Sequence, residues 1–170
     1  MATSRRHSVS FNAIATATAA KDLFELIAGA VKGFRLCELR ISQITELLDA
    51  QDEKITVTLT RASGSYTVGT GGTAIAVVKM DSASSAAVAT GKTNNTTQAV
   101  VGTGAFAVIM VTALYVIKEE LVIRYEGDER PVFNINEALI VAISAPADTI
   151  TLNGTLIFEE MATNKLNSSL

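Results

Sequence analysis

The stretch Glu137–Glu160, EALIVAISAPADTITLNGTLIFEE, decides how this chain is read. Leu139, Val141 and Ile143 alternate with Ile140 and Ala142, the period of two that sends successive side chains to opposite faces of a strand. A second apolar run, Thr155-Leu156-Ile157-Phe158, closes on Glu159-Glu160. Between the two, Pro146 removes a ladder donor and fixes φ, so it ends the first strand. Asn153-Gly154 supplies the residue types that a tight turn or bulge with φ > 0 requires. Short periodic strands bounded by such signals predict an all-β sandwich.

The same pattern extends toward the N-terminus. Ile55 to Arg61, ITVTLTR, places Ile55, Val57 and Leu59 on one face and threonines on the other. Val9 to Ala15 alternates, and so does Phe34 to Ile41, with Phe34, Leu36 and Glu38 opposed to Cys37, Leu39 and Ile41. Phe106 to Ile117 and Leu121 to Tyr125 predict two further strands, and Ala74 to Met80 a short one. Ser63 to Gly72 reads as a flexible loop or bulged hairpin, and Asp81 to Thr97 as a long Ser/Ala/Thr/Asn surface loop or extended edge segment. Ile44 to Ala50 predicts one or two helical turns. Lys21 to Phe34 reads two ways. Leu23, Leu26, Ile27, Ala30, Val31 and Phe34 fall at helical spacing behind an Asp22/Glu25 capping pair, yet DLFELI also fits a strand stopped by Gly29.

A chain of 170 residues forms one domain with enough core to need no staple. We place a polar arm at 1–8, the domain at 9–162 and a polar tail at 163–170. Cys37 is alone, so it forms no intrachain disulfide, and no Cys/His spacing suits zinc. A net charge of −3 and a pI near 5.2 argue against a nucleic-acid partner. Nothing at the start reads as a secretory signal, which makes Asn94, Asn95, Asn153 and Asn167 of the N-x-[ST] matches turn residues. Ala99 to Ile117 carries no charge and is long enough to span a bilayer. Its glycines and threonines, its Val/Ile bias and the missing Lys/Arg flank favour buried strands over a membrane helix.

Candidate chemistry is sparse. Gly102-Thr103-Gly104-Ala105-Phe106-Ala107 matches GxGxxA, but β-branched residues follow where a phosphate-binding helix would have to start. Glu119, Glu120, Glu126, Asp128 and Glu129 lack the spacing of a calcium loop and read as solvated turns. His7 falls in the arm, without the rigid placement that catalysis requires. Cys37 reads as a buried structural thiol. The expectation is a protein with no catalytic, metal or cofactor site.

Three segments carry a family resemblance. They are KDLFELIAG…FRLCELRISQ at 21–43, VVKMDSASSAAVATGKTNNTT at 77–97 and ERPVFNINEALIVAISAPADTITLNGTLIFEE at 129–160. The chain resembles jelly-roll capsid-associated proteins of tailed bacteriophages and prophages, the cement or decoration proteins. The resemblance implies a jelly-roll β-sandwich of two antiparallel sheets, with Lys21–Ile27 a strand, 21–43 an early strand pair and 129–160 a closing hairpin. It implies a homotrimer on the outer capsid surface, bound to the major capsid protein and located in the virion, with no membrane or cofactor. Phe106, Val108, Met110, Leu114 and Tyr115 are then candidates for the subunit interface, and Arg5, Arg6 and Phe11 for the capsid contact. The alternative is a receptor- or saccharide-binding module, or a fibre-attachment protein of a virion.

Overall fold

The computed structural model describes residues 5–44, 54–101, 105–115 and 120–161. Two six-stranded antiparallel sheets pack face to face. The first is built from β1 (Arg6–Thr16), β3 (Phe34–Gln43), β11 (Leu121–Arg124) and β14 (Ile150–Glu160), in the order β11-β3-β14-β1. The second holds β2 (Lys21–Ile27), β4 (Lys54–Ser63), β10 (Ala105–Tyr115) and β13 (Ala138–Ile143), in the order β10-β4-β13-β2. Folding the chain back on itself thus pairs β1 with β14 and β2 with β13, while β3 and β4 fill in beside them. That winding is a jelly roll. Short β12 (Val132–Phe133) joins β3, and a 3₁₀ turn at Gly127–Glu129 follows β11.

The connection from β4 to β10 is an elaborate insertion. It contains β5 (Tyr66–Thr67), β6 (Thr73–Ala74), β7 (Val78–Lys79), β8 (Thr90–Asn95) and β9 (Val100–Val101). β7 extends the first sheet beyond β1, β8 and β6 extend the second beyond β2, and β5 pairs with β9. The segment 81–97, read as a long surface loop or extended edge segment, contributes β8, a paired strand near the edge of the second sheet. Asn94 and Asn95 lie within it and Asn153 within β14, so none of the three is a simple turn residue.

The core faces alternate as the apolar pattern requires. Leu139, Val141 and Ile143 of β13 and Ile55, Val57 and Leu59 of β4 all point between the sheets. Four phenylalanines, Phe24, Phe34, Phe133 and Phe158, are fully buried. Phe34 stacks on Phe133 at 4.7 Å and meets Phe158 edge-on at 5.5 Å, a geometry aromatic quadrupoles favour.

Bulges account for the departures from strict alternation. In β3 the pairing slips between Leu36 and Glu38, so Phe34 and Leu36 join Leu39 and Ile41 in the core, with Glu38 half-buried on the other side. The face assigned to Leu36 with Glu38 is corrected accordingly. Lys21–Ile27 is a strand buried on both faces, not a helix: β13 pairs one edge and β8 the other, which outweighs the local helical spacing. The short helix expected at 44–50 lies outside the described residues beyond Ile44.

Two expectations for the C-terminal stretch change. β13 and β14 lie in different sheets, so this segment is a crossover rather than a hairpin, and β2 and β3 are likewise not paired with each other. Asn153 and Gly154 form no turn; they sit inside β14, which starts at Ile150. The bulge is instead in the partner strand. β1 slips between Phe11 and Ile14, Ala13 adopts φ 53°, and its N–H donates to Asn153 Oδ1 at 2.9 Å. Gly154 lies opposite Phe11, and a Cβ there would approach the Phe11 ring to 2.3 Å and the Phe24 ring to 3.0 Å. Gly154→Ala is expected to destabilise the fold by about 1–3 kcal/mol through overpacking, seen as a lower denaturant midpoint with an unchanged slope.

Candidate assembly surface

β10 is an edge strand: among the described residues it pairs with β4 alone. Its register slips between Val108 and Met110, leaving Ile109 without a partner. As a result Ile109 and Met110 both pack toward the core, while Phe106, Val108 and Val111 share the outer face. Val108 and Val111 are each 61% exposed, flanked across the ladder by Thr60 and Thr58. Of the predicted interface residues, Val108 therefore lies open. Met110 is half-buried against the core and accepts a weak contact from Tyr125 Oη, and Phe106 is partly covered by Tyr66 at 6.1 Å. The side chains of Leu114 and Tyr115 lie outside the described residues. Val111 was missed because simple alternation without a bulge turns it inward.

The outer face beside β10 is covered by the insertion. Ala62, Ala138 and Ile140 form a small buried cluster there, packed by Ile27, Tyr66, Ala99 and Phe106. Buried carboxylates hold the insertion down. Asp22 Oδ2 accepts from Ala99 N at 2.7 Å and Oδ1 from Gln98 Nε2 at 3.3 Å. Glu25 Oε2 accepts from Gly69 N at 3.2 Å and Asn95 Nδ2 at 2.7 Å. Burial pushes both carboxyls above the ordinary carboxylate range, against the lowering effect of these hydrogen bonds; the charge of Asp22 pushes Glu25 further in the same direction. Burial, reinforced by the charge of Glu25, also lifts the Tyr66 phenol.

A third carboxylate anchors the middle of the insertion, between β7 and β8. Glu160, the buried last residue of β14, accepts from Val88 N at 2.5 Å and Ala89 N at 3.0 Å through Oε1, with the Lys32 ammonium 3.6 Å from Oε2. His7 stands close by. Expected in a mobile arm, it is 1% exposed, stacks on Phe158 at 5.5 Å and donates from Nε2 to Ser85 O at 3.2 Å. The arm at 1–8 is corrected from Arg6 onward, because Arg6, His7 and Ser8 pair with β14. None of these anchors is visible as a motif. The only trace in the sequence is that DLFEL and FEE place carboxylates inside otherwise apolar strands.

The predicted capsid-contact residues separate. Phe11 is buried against Phe24 at 5.1 Å, so it cannot make an outside contact. Arg6 is exposed, Arg5 half-buried, and their carbonyls accept from Met80 N and Glu160 N. Next to them β7 forms the free edge of the first sheet. There Val78 and Met80 are exposed over a shallow groove of about 830 Å³ that Lys79, Ser82 and Ala86 also line.

The GxGxxA segment leads into strand β10, so no helix N-terminus is available to a phosphate. Cys37 is buried, and burial pushes its thiol up, away from nucleophilic reactivity. Among the described residues no group of three or more His, Cys, Asp or Glu is placed to hold a metal, and no helix is long and apolar enough to cross a membrane.

No protein-family model and no curated protein matches the chain. Among solved structures it is similar to one titled "Structure of infectious bursal disease virus Gx strain", at 14% identity and a TM-score of 0.19. That similarity spans 98% of this chain and 44% of the other, so the chain covers less than half the length of that structure's chain.

Glu160→Ala is expected to cost about 1–3 kcal/mol, because it strands the buried Ala89 N–H and the half-buried Val88 N–H. Glu160→Gln keeps an acceptor and is expected to cost less; thermal and denaturant unfolding of the two variants checks the ordering.

Proposed function

We propose that the chain is a virion structural protein, a capsid cement or decoration protein that assembles as a homotrimer and binds the major capsid protein from outside. The observation that carries this reading is the open edge of β10 with Val108 and Val111 exposed on its outer face. Branched apolar side chains on an unpaired edge strand are a liability in a solitary protein, and natural sheets usually blunt such edges with charge or cover them. Here the described part of the strand carries no charge at all. A second copy is a natural cover, and a ring of copies related by a threefold axis closes the contact.

A cement protein needs a second surface, for the shell. The β7 edge supplies one, with Val78 and Met80 beside Lys79 and Arg6. It lies on the side of the sandwich where Phe11 meets Phe24, away from the side where Tyr125 meets Met110. Self-association and shell binding would therefore not compete for one face. The jelly roll itself supports this reading only as a rigid scaffold, since the fold serves many functions.

Light scattering of the purified chain is expected to give the mass of three 17.9 kDa subunits. Val108→Glu with Val111→Glu is expected to reduce it to one subunit while the fold persists; a trimer that survives both charges removes β10 from the interface. Arg6→Glu with Lys79→Glu is expected to weaken retention on purified capsids at least tenfold and to leave the trimer intact, measured by co-sedimentation at low salt.

A further inference from the structure

The carboxylates beneath the insertion are arranged for more than support. Asp22 and Glu25 lie on the outer face of β2, opposite Ala142 and Ile140 of β13, which bring no charge. From β8 come Asn95 and Lys92; the Lys92 ammonium donates to Gly69 O at 3.1 Å and its charge acts on Glu25. From β5 comes the Tyr66 phenol, and from the segment before β9 the Gln98 amide and the Ala99 N–H. Two carboxylates thus sit within reach of each other's charge in a site where Asp22 and Glu25 are each 1% exposed. The donors are also used unevenly. Both bonds to Glu25 fall on Oε2, while Glu25 Oε1, Asn95 Oδ1 and the Tyr66 hydroxyl are buried with no hydrogen-bond partner. Two of those three orphans are pure acceptors when Glu25 is ionised, so the site is one donor short.

A proton is the missing donor. We propose that Asp22 and Glu25 form a proton-operated latch: holding a proton keeps the insertion docked on the outer face of the second sheet, and losing it loosens the insertion there. The docked state buries the carboxyls and the loosened state returns them to water, so the docked state binds the proton more tightly. By linkage, docking is then favoured on acidification and weakens as pH rises from the ordinary carboxylate range, about 4, through the raised value; above that value the penalty is constant.

Loosening has a consequence for the face beneath. Tyr66 and Ala99 cover Ala62, Ala138 and Ile140, and Phe106 at the border of that cluster shares its face with Val108 and Val111. Lifting the covering segments would join the small cluster to the exposed valines in one larger apolar surface. The latch would thereby set how much apolar surface the chain presents. This last step rests on the assembly role proposed for β10, but the latch itself does not.

Amide hydrogen exchange of Gly69 and Ala99, corrected for intrinsic rates, tests the latch between about pH 4 and pH 8. In the wild-type chain their protection is expected to fall severalfold as the pH rises through the raised carboxyl values and then to level off. Glu25→Gln, which keeps an acceptor and brings a permanent donor, is expected to reduce that slope, and Glu25→Gln with Asp22→Asn to abolish it, while Leu59 and Val141 in the core stay protected at every pH. Should Glu25→Gln lose core protection and fail to fold, Asp22→Asn serves in its place with the same expectation. A wild-type chain with no slope, or variants that retain the wild-type slope, overturns the proposal. Repeating the exchange in the Val108→Glu, Val111→Glu chain separates the two readings. A slope there supports the latch even if light scattering shows that β10 drives no assembly, and a missing slope there overturns it.

Discussion

Strand β14 holds the middle of the first sheet, with β1 on one edge and β3 on the other, so both of its ladders are satisfied by strands from the first quarter of the chain. Its burial alternates without a break from Ile150 to Glu160. Such a strand tolerates no slip, because a shift of one residue would send Leu152, Leu156 and Phe158 to solvent and Asn153, Thr155 and Ile157 into the core. The other devices of the sheet adjust around it. β1 bulges at Ala13, where Asn153 takes up the freed N–H, and β3 bulges at Cys37. Gly154 provides the space in which Phe11 lies across the strand to reach Phe24.

The insertion depends on that frame through side chains that are charged where apolar ones would be the simple choice. Asp22, Glu25 and Glu160 between them accept four backbone N–H groups of the insertion, from Gly69, Val88, Ala89 and Ala99. Backbone donors buried under a loop must be paired, and carboxylates on a rigid strand pair them with specificity that apolar packing lacks. The cost is desolvation, which falls on the strand carboxyls and raises those of Asp22 and Glu25. Glycine serves the same docking. A Cβ at Gly91 would come within 1.9 Å of Glu25 O, so β8 approaches β2 this closely only because that residue has no side chain.

Where the strand is regular and its two faces differ, the sequence is a sufficient guide to structure. β4 and β13 place their side chains as the alternation of Ile55, Val57 and Leu59, and of Leu139, Val141 and Ile143, requires. It is a poor guide to bulged strands, because the extra residue leaves no local mark. Leu36 changes face for this reason, and Val111 lies outward where plain alternation from Val108 would turn it inward. The candidate surface was legible in part: β10 was recognisable as an apolar strand, but its position at an edge and the exposure of Val108 and Val111 depend on which strands flank it.

Local periodicity by itself determined that the chain is a β-sandwich and which face of its regular strands is apolar, since side-chain direction in a strand is set by the backbone's own period of two. Tertiary structure alone decided that Lys21–Ile27 extends rather than coils, that His7 and Phe11 are interior, and that three carboxylates are buried. Each of those outcomes depends on what packs against the residue. In a jelly roll the packing partner comes from the opposite end of the chain or from a long insertion, where no short-range pattern reaches.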